Sequence, residues 1–283
     1  MDLMSSDNDK HTQRAIIVAP NGARKTKQDH PNIPLTETEI IREVIACRDA
    51  GAAMVHLHCR DDSGRHSLDV TLNQRLYEHV KHTVGDSIII QLTTESVGLY
   101  SPEQQKQLIR AVKPEAASFA LRELVPEVAN LSDCRAFFHW VAEQGIISQI
   151  ILHEQPDISR YLQLLNDDVL PSQNQHALVV LGRYQTQGNP SPKELDDLHI
   201  SALHQYGIRI AVCAFGKHEH QCLTHALKQG LDVRVGFENN HLTPDGKPAA
   251  DNAQQVRHLK ESDNLLNINY HDAYSFRRAL TNG

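Results

Sequence analysis

Eight times along the chain a short run rich in Ile, Val, Leu and Ala is followed by a longer amphipathic stretch, and this alternation limits the fold more than any other feature of the sequence. The apolar runs are Ala15–Ala19, Met54–His58, Ser87–Thr93, Ala116–Leu121, Ser148–His153, Ala177–Gly182, Arg209–Phe215 and Leu231–Glu238. Their length and largely apolar character are those of parallel strands buried on both faces. The stretches between them carry helix signals. Thr36 precedes Glu37, Glu39 and a run to Ala50, with Gly51 as a stop. Ser101-Pro102 and Ser191-Pro192 open two more helices, and Gly145, Gly207 and Gly230 stand where a helix should end before the next strand. Such alternation argues for a parallel sheet. Eight units without an obvious linker favour closure into a single (β/α)8 TIM barrel over an open doubly wound sheet. The barrel is expected over residues 15–283, with residues 1–14 as a disordered N-terminal extension.

Composition removes several classes of function. The chain has 283 residues, 40% of them hydrophobic, enough for a core of this kind. No apolar run nears the ~20 residues that cross a bilayer, and Met1 to Arg14 lacks the apolar segment of a signal peptide. Cys47, Cys59, Cys134, Cys213 and Cys222 form no CxxC pair and no disulfide framework, which suits a reducing compartment. A cytoplasmic protein without a membrane partner is therefore expected. The formal net charge is -7 with acids and bases interspersed, so no nucleic-acid surface is indicated. Neither GxGxxG nor GxxxxGK[ST] follows any strand, which weighs against dinucleotide and P-loop sites.

Chemistry concentrates on two strands. In Met54-Val55-His56-Leu57-His58-Cys59 the apolar residues alternate with the histidines, so His56 and His58 share the inward face at the C-terminal end of the strand. Barrel active sites lie at that end. In the last strand Val233, Val235 and Phe237 are expected to face the helices, and Arg234, Gly236 and Glu238 the interior. An Arg and a Glu inside a barrel are too costly to leave unpaired. Closure brings the first, second and eighth strands together, so Glu238 can meet both histidines. Two histidines and a glutamate with an open position suit catalytic zinc, one ion per chain. An HxH pair alone is more often two satisfied polar residues, and it is Glu238 that tips the balance. His218, His220, Cys222 and His225 form a rival cluster at helical spacing, but nothing else converges on it, and it reads as a solvated helix.

These residues sit in segments that resemble the β-keto acid cleavage enzymes over Ile16 to about Leu280. The segments are Pro20-Asn21-Gly22-Ala23, Pro31 to Thr36, Asp49 to Asp61 with its AGA-x-x-HLH-x-R pattern, Gln91-Leu92-Thr93-Thr94, Val179 to Gly182, and Val233 to Asn240 with RVGFE-x-N. The resemblance implies a zinc-dependent acyltransferase that condenses a β-keto acid with acetyl-CoA, giving acetoacetate and an acyl-CoA, in a homotetramer. It implies His56, His58 and Glu238 as metal ligands and Arg234 as the arginine acting on the reacting centre. Thr93 stands at a hydroxyl position and Ser118 at a substrate-binding one. Thr94 and Ser96, just past Thr93 at the strand's end, are expected among the substrate-binding groups.

Four departures bear on substrate and activity. Arg24 follows Gly22-Ala23 where the family usually has Glu. Glu95-Ser96 replaces a Gly-Gly whose N–H groups hold the substrate carboxylate. Gln149 and Ile151 replace strand-five carboxylates. Asn239 replaces the Asp after the metal-binding Glu, and an amide cannot act as a general base, so restoring Asp there is expected to raise the rate. Arg24, with Arg122 as a second cation aimed at the mouth, points to an anionic β-keto acid and a CoA thioester as partners. A metal-dependent hydrolase or aldolase-type lyase, or a catalytically altered metal-containing binder, are the other readings.

Overall fold

The computed structural model describes residues 13–182, 190–262 and 268–281. Its strands are β1 Gln13–Arg14, β2 Ile16–Val18, β3 Met54–Leu57, β4 Ile89–Thr93, β5 Ala116–Ala120, β6 Ile147–Leu152, β7 Gln175–Leu181, β8 Arg209–Ala214, β9 Asp232–Val235 and β10 Asn269–Tyr270. Strands β2 to β9 form a closed parallel barrel in sequence order, with β9 pairing back onto β2. The expected (β/α)8 barrel is therefore present. Its first strand begins at Ile16, and just before it Gln13 and Arg14 form a separate two-stranded parallel sheet with Asn269 and Tyr270; residues 1–12 of the expected extension lie outside the described residues.

The helix boundaries follow the local chemistry. Thr36 and Glu39 close a capping box on the helix Glu37–Ala50, which ends at Gly51 in the left-handed region. Ser101 does the same with Gln104 at the helix Pro102–Val112. The core has two apolar layers. One lies between barrel and helices and takes Val55, Leu57, Leu92, Val212, Val233 and Val235. The other fills the barrel with Ile17, Met54, Ile89, Leu178 and Val180, and Phe276 and Leu280 of the helix Ala273–Thr281 pack into it. That helix closes one end of the barrel, leaving the other for the site.

Of the strand ends that differ from expectation, two build the site. β3 stops at Leu57, and Asn21 continues it by donating from Nδ2 to the His58 carbonyl at 2.9 Å. β9 stops at Val235 because Gly236 turns the chain at φ 135°, where a Cβ would lie 2.5 Å from the Ala19 carbonyl oxygen. Glu238 thus arrives by a turn, held by its N–H on Ala19 O at 3.0 Å. Phe237 accordingly leaves the helix layer and packs with Ile33 and Ala249.

Candidate active site

His56 and Gln91 are register partners on β3 and β4. Gln91 Oε1 lies 2.7 Å from His56 Nδ1. A carbonyl oxygen only accepts, so the proton sits on Nδ1 and Nε2 offers its lone pair to the interior. His58 Nε2 lies 3.0 Å from His56 Nε2 and 3.1 Å from Glu238 Oε2, and His56 Nε2 lies 3.6 Å from the same oxygen. Among the described residues these three side chains, all buried, form the group that converges as metal ligands do. Burial holds the His58 imidazole well below its usual pKa. Burial works the other way on Glu238, but Arg234 and both imidazoles outweigh it and keep the carboxyl well below its ordinary range. A neutral His58 imidazole and an ionised Glu238 are the protonation states a metal requires of those two ligands.

The donor set also fits a cation on a second count. Glu238 Oε1 accepts from Arg234 Nη2 at 3.0 Å, whereas the buried Oε2 faces the two imidazoles, 3.1 Å from His58 Nε2 and 3.6 Å from His56 Nε2. A divalent ion would satisfy that oxygen and both ring nitrogens, and N2O ligation with an open position is a catalytic zinc pattern. Close packing fixes Glu238 from behind: at Gly22, φ 61°, a Cβ would lie 2.7 Å from its Cγ.

Arg234 is held from two sides. Its Nη2 also donates to Asn239 Oδ1 at 3.0 Å, and Asn239 Nδ2 donates to Glu219 Oε1 at 3.2 Å and to Arg234 O at 3.0 Å. Burial pushes the Glu219 carboxyl up to about 8, against the Asn239 and Asn240 amides and the Lys25 charge. A carboxyl group thus stands next to the position where the sequence showed only an amide. Glu219 was hidden in the His-rich stretch, at the first turn of the helix Glu219–Lys228. The rest of that stretch is ordinary. His218 meets the Pro190 carbonyl, His225 pairs with Asp196, and Cys222 is in the apolar layer.

A cavity of about 480 Å³ opens beside Glu238 and is lined by Gly22 to Lys25, Glu95, Val97, Gly98, Glu123 and Phe215. That is the size of a small-ligand pocket. A smaller recess behind it takes His56, Thr93, Ser118, Ile151, His153 and Arg234. Arg24 is exposed on the large cavity, and Lys25 beside it donates to the Phe237 carbonyl at 2.8 Å. Ser118 Oγ is buried in the recess without a hydrogen bond, and Thr93 Oγ1 accepts from Glu95 N at 3.0 Å. The structure brings other expected residues elsewhere. Thr94 Oγ1 donates to Ser118 O at 2.9 Å, and Ser96 N donates to Glu123 at 2.9 Å, so both shape the loop and line neither cavity. Arg122, expected to aim at the mouth, instead pairs with Glu154 and, at 2.7 Å, with Asp157. Gln91, Asn21 and Glu219 were not singled out from sequence. Gln91 carried a usable signal, since it alternates inward with Ile89 and Thr93.

The family described as beta-keto acid cleavage enzyme matches residues 14–281. The 3-keto-5-aminohexanoate cleavage enzyme of Acetoanaerobium sticklandii is 27% identical over 248 residues, 85% of this chain and 88% of that protein. The 3-oxoadipate:acetyl-CoA acetyltransferase of Cupriavidus necator is 34% identical over 111 residues, 38% of each chain. Among solved structures, ObcA in a ternary complex with a C4-CoA adduct and oxalate superposes with a TM-score of 0.71 at 17% identity, covering 88% of this chain and 67% of its own, which shows the shared fold.

Proposed function

Given that the chain belongs to the beta-keto acid cleavage enzyme family, we propose that it condenses a β-keto acid with acetyl-CoA, giving acetoacetate and a new acyl-CoA, at a zinc ion held by His56, His58 and Glu238. The observation that carries this reading is the convergence of three buried ligand atoms beside a cavity of substrate size. A divalent ion bound there supplies Lewis-acid polarisation of a carbonyl oxygen. The chain's own residues do the rest. Arg234, buried and fixed by Glu238 and Asn239, presents a cation to negative charge that develops in the recess. Thr93 and Ser118 line the same recess with hydroxyl groups that can hold a substrate oxygen.

Arg24 selects the substrate's far end. Its guanidinium on the cavity wall suits a distal carboxylate and disfavours an amino group, because a desolvated like charge is repelled. The relative named for 3-oxoadipate, a dicarboxylate, supports this choice over the amino-bearing acid in the name of the other. The test is a panel of β-keto acids with acetyl-CoA, run on wild type and Arg24→Glu. Wild type should favour the dicarboxylate, and the variant should lose that preference by more than about tenfold. Equal rankings would remove Arg24 from substrate choice, and turnover that needs no acetyl-CoA would replace transfer with a lyase or hydrolase reaction.

A further inference from the structure

Glu95 stands next to the metal group without belonging to it. The converging atoms are His56 Nε2, His58 Nε2 and Glu238 Oε2. Glu95 Oε2 faces another edge of the His58 ring, 3.9 Å from Nδ1. The two histidines differ in how those outer nitrogens are treated. His56 Nδ1 has its acceptor in Gln91, whereas His58 Nδ1 is buried with no hydrogen-bond partner. A histidine that ligates through Nε2 carries its proton on Nδ1, and a bound cation makes that N–H a stronger donor. A donor left without an acceptor in the interior costs about 1–3 kcal/mol.

The residue carrying the nearby carboxylate is anchored along its backbone. Glu95 N donates to Thr93 Oγ1 at 3.0 Å, and Glu95 O accepts from His66 Nε2 at 2.8 Å. His66 itself packs on the His58 ring, with centroids 5.1 Å apart. One loop therefore holds a carboxylate arm on the edge of His58 that the metal does not use. Where the family resemblance leads one to expect glycine, no side chain could do this.

We propose that Glu95 is a positioning residue for the metal, its carboxylate accepting the Nδ1–H of His58 when His58 becomes a ligand. The present 3.9 Å is longer than a hydrogen bond, and ligation draws the pair to hydrogen-bond distance. Gln91 on His56 and Glu95 on His58 then form a matched outer support for the two imidazoles. The inference rests on the metal reading above, and its test separates the two.

Metal-free wild type, Glu95→Gln and Glu95→Ala are titrated with Zn²⁺ against a chromophoric chelator, with apo-protein melting and the visible spectrum of the Co²⁺-loaded form recorded for each. Wild type should bind close to one ion. Glu95→Ala should bind about 10–100-fold more weakly, and Glu95→Gln, which keeps an acceptor oxygen, should fall between them. Apo-protein melting should stay unchanged, and the Co²⁺ bands should move with the loss of the carboxylate. Wild type binding zinc, with both variants equally tight and spectrally identical, would overturn the role of Glu95 and leave the metal reading intact. Failure of wild type to bind would overturn the metal reading and this inference with it. If Glu95→Ala does not fold, the Glu95→Gln affinity and spectrum decide.

Discussion

Asn239 lies between a guanidinium that can only donate and a carboxyl that accepts, and its amide answers both. From sequence alone, Asn239→Asp is a restored base with an expected gain of about 10²–10⁴-fold. The Glu219 oxygen 3.2 Å away adds a condition. Two buried carboxyls at that distance hold one proton between them, and burial already sets Glu219 at about 8. The gain in Asn239→Asp should therefore show at neutral pH, where the shared proton rests on Glu219 and the new carboxylate is ionised beside Arg234. It should be kept in the Asn239→Asp/Glu219→Gln double variant, in which position 219 is neutral at every pH. Profiles of kcat/KM against pH for both variants check this; a gain in neither would assign the base to another group.

At the scale of strands and turns, the eight strand cores were legible because apolar runs bounded by caps leave few alternatives. Their ends were not. Whether β9 continues to Glu238 depends on Gly236 meeting the Ala19 carbonyl, a contact between residues far apart in sequence. The inward alternation of Arg234 held within the strand, while Glu238 reached the same site by a turn. The interior also carries a polar link that sequence periodicity did not show. Asp232 accepts from Ala15 N and from Arg209 Nη2, each at 2.7 Å, and lies 3.7 Å from His176, which burial holds neutral at about 4 and which meets Gln149 at 2.9 Å. Gln149, read as a lost carboxylate, is thus part of this link. Asp232→Ala leaves a guanidinium and an amide without their acceptor. It should cost roughly 3–5 kcal/mol, a fall in Tm on the order of 10 °C, while zinc affinity at the mouth changes little. Thermal melting and metal titration of the variant separate those effects; a loss of zinc affinity without destabilisation would contradict the division.

Over the whole molecule, the barrel separates stability from chemistry, as such folds generally do. The helix Ala273–Thr281 packs Phe276 and Leu280 into the interior, and the two histidines, Glu238 and the 480 Å³ cavity lie at the ends and following turns of their strands. No helix among the described residues is long and apolar enough to cross a membrane. Closure of β9 onto β2 is what lets a turn late in the chain meet a strand near its start, and the convergence of His56, His58 and Glu238 exists only through that closure. The account accordingly stands on the metal. Purified wild type should contain close to one zinc per chain, and His56→Ala, purified alike and folded by its melting curve, should have lost most of it. Equal metal content in the two proteins would contradict the site.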